Sequence, residues 1–405
     1  MTKFSIDYID FTSFFKKLDY SNKIILSSTS DTLFIYDKLK NKFIPNACES
    51  FEVIGRKYII NLRKNIYYYD GTRVTASDYE KTMLEQKQIV PEIFENILSI
   101  SSTDTTIIIE LKKKDKYFIN KLSLYLFSPH FEKTCGRYYI SKISNDNIIL
   151  LPNEFYRKKA ADKLEYVLCD TIEKDNLYFK NNEVDISNNT FFKLDNTNSR
   201  NEKSGIIFSI EVSTKYSLDE RRHIVNSINK NSIVNELGNS YFVKNDFFFD
   251  EISKYKYRDT KKLKKEKKLR LFYNKFYPNY EISLLIKKEL EKKNYKVKLV
   301  GINYDEFKEL YDYDLKLVLN YFEYIDNLYF YSSNYFKYIM KKNRKYKFLL
   351  NKLNSNIFLN ALNYTFKNKW IKEPLISFYS CYKSNKYTEN FSYLECNYDR
   401  INSKY

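Results

Sequence analysis

Between residues 268 and 300 the sequence passes from a strand pattern to a helix pattern and back: Lys268–Tyr273, Tyr280–Lys292, Lys296–Val300. Two strands joined through a helix cannot form a tight hairpin. They lie parallel in one sheet, with the connecting helix on its face. A further strand pattern at Tyr313–Leu319 follows a connecting helix, and another stands at Leu375–Tyr379. This part of the chain is therefore α/β, with a partly parallel sheet.

The N-terminal half reads differently. Phe51–Ile54 and Lys57–Leu62 alternate apolar and polar side chains at period two, as half-buried antiparallel strands do. Asp70-Gly71 is a tight-turn dipeptide. Thr75-Ala-Ser-Asp78 has the spacing of a capping box and predicts a helix over Ala76–Gln88. Strand patterns occur at Phe4–Ile9, Lys23–Leu26, Thr32–Tyr36, Thr106–Leu111, Tyr138–Ile143, Asn147–Leu151, Leu164–Leu168 and Gly205–Val212. Short helices are expected at Tyr117–Phe127 and Asp175–Phe179, a longer one over Leu218–Leu237, and helical structure over 334–368. Asn188–Asn201 is polar enough for an exposed loop. The order of strands, an inserted hairpin–helix region, more strands and an α/β unit implies lobes woven by several chain crossings.

Composition excludes more than it identifies. With 43% apolar and 30% charged residues in 405, the chain has material for two or three cores. No apolar run approaches the roughly 18 residues of a spanning helix, so no membrane insertion is expected. The net charge is +18, but the 69 basic residues comprise 57 Lys and only 12 Arg. Nucleic-acid readout favours the bidentate Arg fork, and a Lys excess spread along an A/T-codon-biased sequence does not imply it. The densest basic run, 254–270, reads as a solvated linker or loop, or as a contact with an acidic partner or anionic surface.

Catalytic and cofactor signatures are also lacking. Five widely spaced cysteines form no CxxC pair, and His130 and His223 stand alone. No HExxH, GxxxxGK[ST] or GxGxxG motif occurs, and six glycines give little material for a phosphate loop. Neither enzymatic chemistry nor a cofactor or metal is expected.

Six blocks in order resemble family 5 extracellular solute-binding proteins, the oligopeptide- and nickel-binding components of ABC importers. Pro45-Asn-Ala-Cys-Glu-Ser-Phe-Glu-Val, followed by Leu62-Arg63 and Asp70-Gly-Thr-Arg-Val-Thr-Ala-Ser-Asp78, is similar to P-x-L-A-E-S-W-E-V and D-G-T-P-L-T-A-E-D, with Phe51 in place of Trp. Cys135-Gly-Arg-Tyr138 is similar to T-G-P-Y, and Ile149–Tyr156 to I-x-L-x-x-N-P-x-Y. Asn182-Glu-Val-Asp-Ile186 resembles G-E-V-D-I. Arg221–Val234 resembles R-Q-A-L-x-Y-A-I-D-R-x-x-I-V, with Asn229 and Lys230 at the D-R positions. Tyr313-Asp314 and Glu323-Tyr-Ile-Asp326-Asn-Leu-Tyr-Phe330 resemble Y-D and A-D-Y-x-D-P-x-x-F.

The resemblance implies a type II periplasmic-binding-protein-like α/β fold, two hinged lobes with an extra domain inserted in the first. On that template residues 1–45, 130–210 and 371–405 form lobe I, 46–129 the inserted domain, and 211–370 lobe II. It implies capture of a short peptide or similar small solute in an interlobe cleft for ABC-transporter uptake, by a monomer with an ABC permease as partner. The alternative is a cytoplasmic peptide-binding accessory or sensor protein using the same cleft without a transporter. Glu323 stands where the family's acid pairs with a peptide ammonium, and Tyr321, Phe322 and Tyr324 are the candidate pocket aromatics. Asp70, Gly71, Thr72, Thr75 and Asp78 carry the likeness, but their expected job is scaffolding. The family is extracytoplasmic, whereas Met1–Tyr8 leads straight into a strand pattern without a signal-peptide core, so the sequence as written reads as cytoplasmic.

Overall fold

The computed structural model describes residues 1–6, 20–37, 42–115, 118–130, 133–158, 160, 163–187, 199–237, 242–244, 263–276, 278–303, 306–307, 309–321 and 372–384. The chain divides into two compact units: 1–189 with 196–199 and 382–405, and 190–195 with 200–381.

The first unit holds β1 (Thr2–Ile6), α1 (Tyr20–Thr29), β2 (Phe34–Asp37), β3 (Lys42–Pro45), β4 (Cys48–Ile54), β5 (Lys57–Leu62), α2 (Ala76–Ile89), α3 (Pro91–Phe94), β6 (Ile97–Ser102) and β7 (Thr106–Leu111). It continues with α4 (Phe118–Lys121), a 3-10 turn at Tyr125–Phe127, β8 (Tyr138–Ile143), β9 (Asn147–Pro152), β10 (Leu164–Leu168), α5 (Ile172–Lys180) and β11 (Ile186–Ser187). One sheet runs β11-β1-β10-β9-β8, with β1 parallel to both its neighbours and the β8–β9–β10 part antiparallel. A second, antiparallel sheet runs β4-β5-β7-β6. Its alternation is the one expected from sequence: Tyr58, Ile60, Leu62, Ile107, Ile109 and Leu111 are buried at every second position. On α2, Tyr79 and Met83 are fully buried, and Phe94 stacks on Phe127 at 4.7 Å between ring centroids. Each such side chain contributes about 1.5–3 kcal/mol on burial.

One sequence expectation is overturned here. Lys23–Leu26 is not a strand but the middle of helix α1, which buries Ile24, Ile25 and Leu26. A short apolar run has no periodicity of its own, so tertiary packing decides between helix and strand. The Tyr117–Phe127 pattern resolves into α4 and the 3-10 turn. The helix predicted at 334–368 lies outside the described residues, as does 188–198 of the predicted loop; the rest of that loop, residues 199–201, is instead the start of a long strand whose pairing overrides its polarity.

The second unit takes most of β12 (Ser199–Val212), then α6 (Leu218–Asn226), α7 (Lys230–Glu236), β13 (Phe242–Lys244), β14 (Lys267–Asn274), α8 (Asn279–Glu291), β15 (Tyr295–Ile302), β16 (Leu315–Tyr321) and most of β17 (Lys372–Ser384). Its sheet order is β15-β14-β16-β12-β17, and β13 pairs with β17. The pair β14–β15 is parallel over its full length, from Lys267↔Tyr295 to Asn274↔Ile302, with α8 as the crossover that the sequence requires. The single helix expected over Leu218–Leu237 is two. The first ends at Asn226 with Ser227 as its C-cap, and Asn229 caps the second, its side-chain oxygen accepting from the amides of Asn231 (3.1 Å) and Ser232 (3.3 Å). Ile224, Val225, Ile228, Ile233, Ile282, Ile286, Leu290, Leu269 and Leu271 form one buried cluster between these helices and the sheet.

Candidate functional site

The motif blocks of the first unit converge on a single buried carboxylate. Asp31 follows the end of α1 and is fully buried. Arg157, five residues after β9, forks onto it: Nη1 bonds Oδ2, and Nη2 bonds Oδ1 at 2.8 Å. Asn46, just past β3, donates to Asp31 Oδ1 (3.0 Å) and to the Thr32 carbonyl (2.9 Å), while its own oxygen accepts from Arg157 Nη2 at 2.5 Å. The Tyr79 hydroxyl on α2 donates to the Asp31 carbonyl at 2.7 Å. Arg63 Nε donates to the Asn46 carbonyl at 2.7 Å. Burial alone would lower the pKa of Arg157, but its hydrogen bonds to Asp31 outweigh that and raise it. The Arg157 guanidinium is therefore held in its charged form by its bonds to Asp31.

The other first-unit blocks hold turns and strand ends together. Gly136 donates its amide to the Thr29 carbonyl at 2.8 Å, and a Cβ on it would stand 2.2 Å from the Thr29 carbonyl carbon, so no other residue fits. Asn153 ties the same strand end: Nδ2 donates to the Gly136 carbonyl (2.9 Å), and its amide to the Arg137 carbonyl (2.9 Å). In the Asp70-Gly71-Thr72 turn, Asp70 accepts from the Thr72 amide (3.0 Å) and from Lys133 Nζ (2.5 Å), which lower its pKa to about 2. Gly71 adopts φ +82° and lies against the Phe155 ring, 3.0 Å from where a Cβ would be. The Asp78 carboxylate reaches back to the Thr75 amide (2.8 Å) and hydroxyl (2.9 Å), the reciprocal half of the predicted capping box. Asp185 accepts from the Lys3 amide at 2.8 Å and so tethers β11 to β1. Each of these bonds ties one backbone segment to another.

In the second unit Asp314, at the N-terminal end of β16, accepts from the Arg270 amide (2.7 Å), Arg270 Nε (3.1 Å) and the Tyr216 hydroxyl (2.9 Å), and pairs with Lys215 at 2.5 Å. Burial would raise its pKa, but the Lys215, Arg270 and Tyr216 bonds prevail and hold it at about 2. This block therefore pins β14 to β16 and the segment after β12.

The opposite end of that sheet is where its parallel strands leave their carboxyl termini. From β14 the chain moves to β15 on one side, then crosses back to β16 on the other. A ligand crevice in an open α/β sheet forms at such a reversal. Of the residues predicted to bind, Tyr321 is the last residue of β16, in register with Ile206 of β12. Phe322, Glu323 and Tyr324 lie outside the described residues, as does Asp326. What sequence reasoning missed is the Asp31–Arg157 pair, whose partners are 126 residues apart and share no motif spacing. An Arg kept beside Tyr156 in a chain so rich in Lys was the only sequence signal.

The comparisons add the fold's relatives. No family model and no curated protein matches the sequence. Among solved structures, the chain superposes on Haemophilus influenzae OppA in complex with RPPGFSPFR with a TM-score of 0.83 at 13% identity, over 98% of each chain. It carries the type II periplasmic-binding-protein fold. The Escherichia coli murein tripeptide binding protein MppA matches at a TM-score of 0.82 and 13% identity, over 97% of this chain and 95% of that one. The agropinic acid complex of AgaA from A. tumefaciens R10 matches at 0.81 and 16%, over 98% and 96%. Such neighbours include family 5 solute-binding proteins, the family that the motif blocks resemble. They are binding proteins rather than enzymes.

Proposed function

We propose that this chain is a family 5 solute-binding protein that captures a short peptide and delivers it to an ABC-type permease. The observation that carries the reading is the likeness of fold over 97–98% of the chain to proteins whose bound or named solutes are peptides. The six motif blocks support it, since the first block supplies Asn46 and Arg63 to the Asp31 hub and the Tyr313-Asp314 block pins the sheet whose reversal point precedes residues 322–324. On this reading Glu323 receives the peptide's α-ammonium in a charge-assisted bond, and Tyr321, Phe322 and Tyr324 supply apolar walls. The residues 1–45, 130–210 and 371–405 make up lobe I, 46–129 its inserted domain and 211–370 lobe II.

A thermal-shift screen tests it. A mixed library of short peptides raises the melting temperature, because a ligand bound only by the folded state stabilises it in proportion to RT ln(1 + [L]/Kd). No shift with any peptide, free amino acid or metal chelate removes the proposal. Glu323→Gln weakens peptides with a free N-terminus and spares N-acetylated ones; equal loss for both removes the assigned role of Glu323.

A further inference from the structure

At one end of the β4-β5-β7-β6 sheet, chain ends of the same kind bring cations and apolar side chains together. The β4–β5 turn carries Arg56 and Lys57, and β7 runs out into Lys112-Lys113-Lys114. The two segments are bonded: Arg56 Nη1 donates to the Lys112 carbonyl at 3.0 Å, and the Leu111 amide to the Arg56 carbonyl at 2.9 Å. The Lys113 amide is held by Asn96 Oδ1 at 3.2 Å, which brings the start of β6 to the same place. All five cations are exposed. Arg56 pairs with Glu110 at 3.4 Å, whereas among the described residues Lys57, Lys112, Lys113 and Lys114 form no ion pair.

Beside these charges the sheet end exposes aliphatic side chains. Ile54 is 55% exposed, Leu98 51% and Val53 44%. Ile54 pairs with Lys57 across the turn, and Leu98 sits in the bulge between Ile97 and Ser99, level with Leu111 and Glu110. Gly55 turns the corner at φ +64°, and a Cβ there would meet nothing within 4 Å, so the tip projects into open space. A cationic collar around a projecting aliphatic tip matches the two layers of a lipid surface, anionic headgroups outside and hydrocarbon within. A nucleic-acid polyanion would use the charge and leave the aliphatics unused.

We propose that this end of the four-stranded sheet docks peripherally on an anionic lipid surface, through Arg56, Lys57 and Lys112–Lys114 with Ile54 as the inserted tip. It is independent of solute binding.

The test is co-sedimentation of the full chain with vesicles of phosphatidylcholine containing about one-third phosphatidylglycerol, and with phosphatidylcholine alone, at low and raised salt. The wild-type chain binds the anionic vesicles and loses them with salt. Each cation removed lowers partitioning about fivefold, so Lys112→Gln with Lys113→Gln and Lys114→Gln lowers it about a hundredfold. The same charge change at Lys288, Lys296 and Lys298, exposed lysines of the other unit, leaves binding at the wild-type level. Ile54→Ser lowers vesicle binding severalfold and leaves retention on heparin unchanged, and Lys113→Glu checks the charge contribution by a single exposed substitution. Absence of wild-type binding, equal loss in the two triple variants, or an Ile54→Ser chain that binds vesicles like the parent overturns the proposal. The last outcome, with heparin retention lost in the first triple, assigns the patch to an acidic macromolecule instead.

Discussion

His130 gives the most quantitative consequence of the structure. It is wholly buried after the 3-10 turn, its Nδ1–H donating to the Ser128 carbonyl at 2.6 Å while Nε2 faces the Gln86 amide nitrogen at 3.0 Å and accepts from it. The Tyr125 ring meets it edge-on at 5.5 Å. Burial outweighs the backbone hydrogen bonds and lowers its pKa from an ordinary 6.5 to about 4. Below pH 6.5 the unfolded chain takes up a proton at this residue that the folded chain refuses. The stabilisation is therefore complete above about pH 6.5 and is lost as pH falls towards 4. A shift of about 2.5 units corresponds to about 3 kcal/mol in all, of which about 2 kcal/mol disappears between pH 7 and 5. Asp70, Glu220 and Asp314 titrate near 2 in the folded chain and 3.8–4.5 ordinarily, so they contribute little over that interval. Urea midpoints followed by circular dichroism at pH 7 and pH 5 measure the loss. His130→Gln keeps an acceptor for Gln86 but cannot titrate, so its midpoint falls much less over the same interval, whatever its absolute stability. Identical pH slopes in parent and variant would refute the reasoning.

Other consequences follow from the same packing. Asp31→Asn leaves Arg157 with a buried, uncompensated charge and costs about 3–5 kcal/mol; adding Arg157→Met recovers part of it, and a double-mutant cycle in urea reads the coupling. Gly136→Ala drives a methyl into the Thr29 backbone and destabilises by about 3 kcal/mol or more, whereas Gly55→Ala, with open space but positive φ, costs about 1 kcal/mol. Burial raises the thiol pKa of Cys48 and Cys169 to about 12 and that of Cys135 further, so peptide-level mapping after treatment with a thiol reagent finds these three unlabelled until urea is added. Asp314→Asn flattens the acid limb of stability between about pH 4 and 2, because a carboxylate held at about 2 loses its contribution only as pH falls through that range.

Much of the candidate site was legible where a residue works within a few positions of itself. Asp70 bonds the Thr72 amide at 3.0 Å, and Asp78 the Thr75 amide at 2.8 Å. Asn229 at a position where the family carries Asp still caps α7, since the amide oxygen accepts as a carboxylate does. The pocket residues were legible only by resemblance, because an acid after a strand carries no local signature of what it faces.

The chain alone determined the β14–α8–β15 crossover, the alternation of the antiparallel sheet, the Gly71 turn and the cap of α2, because steric and hydrogen-bond preferences over two to four residues suffice for each. Tertiary structure alone decided that Ile24–Leu26 is helical, that Gly136 must lack a side chain, that Asp31 and Arg157 meet, and that His130 stays neutral. Each of those depends on atoms brought together from distant parts of the chain, where nothing in the local pattern limits which partner arrives.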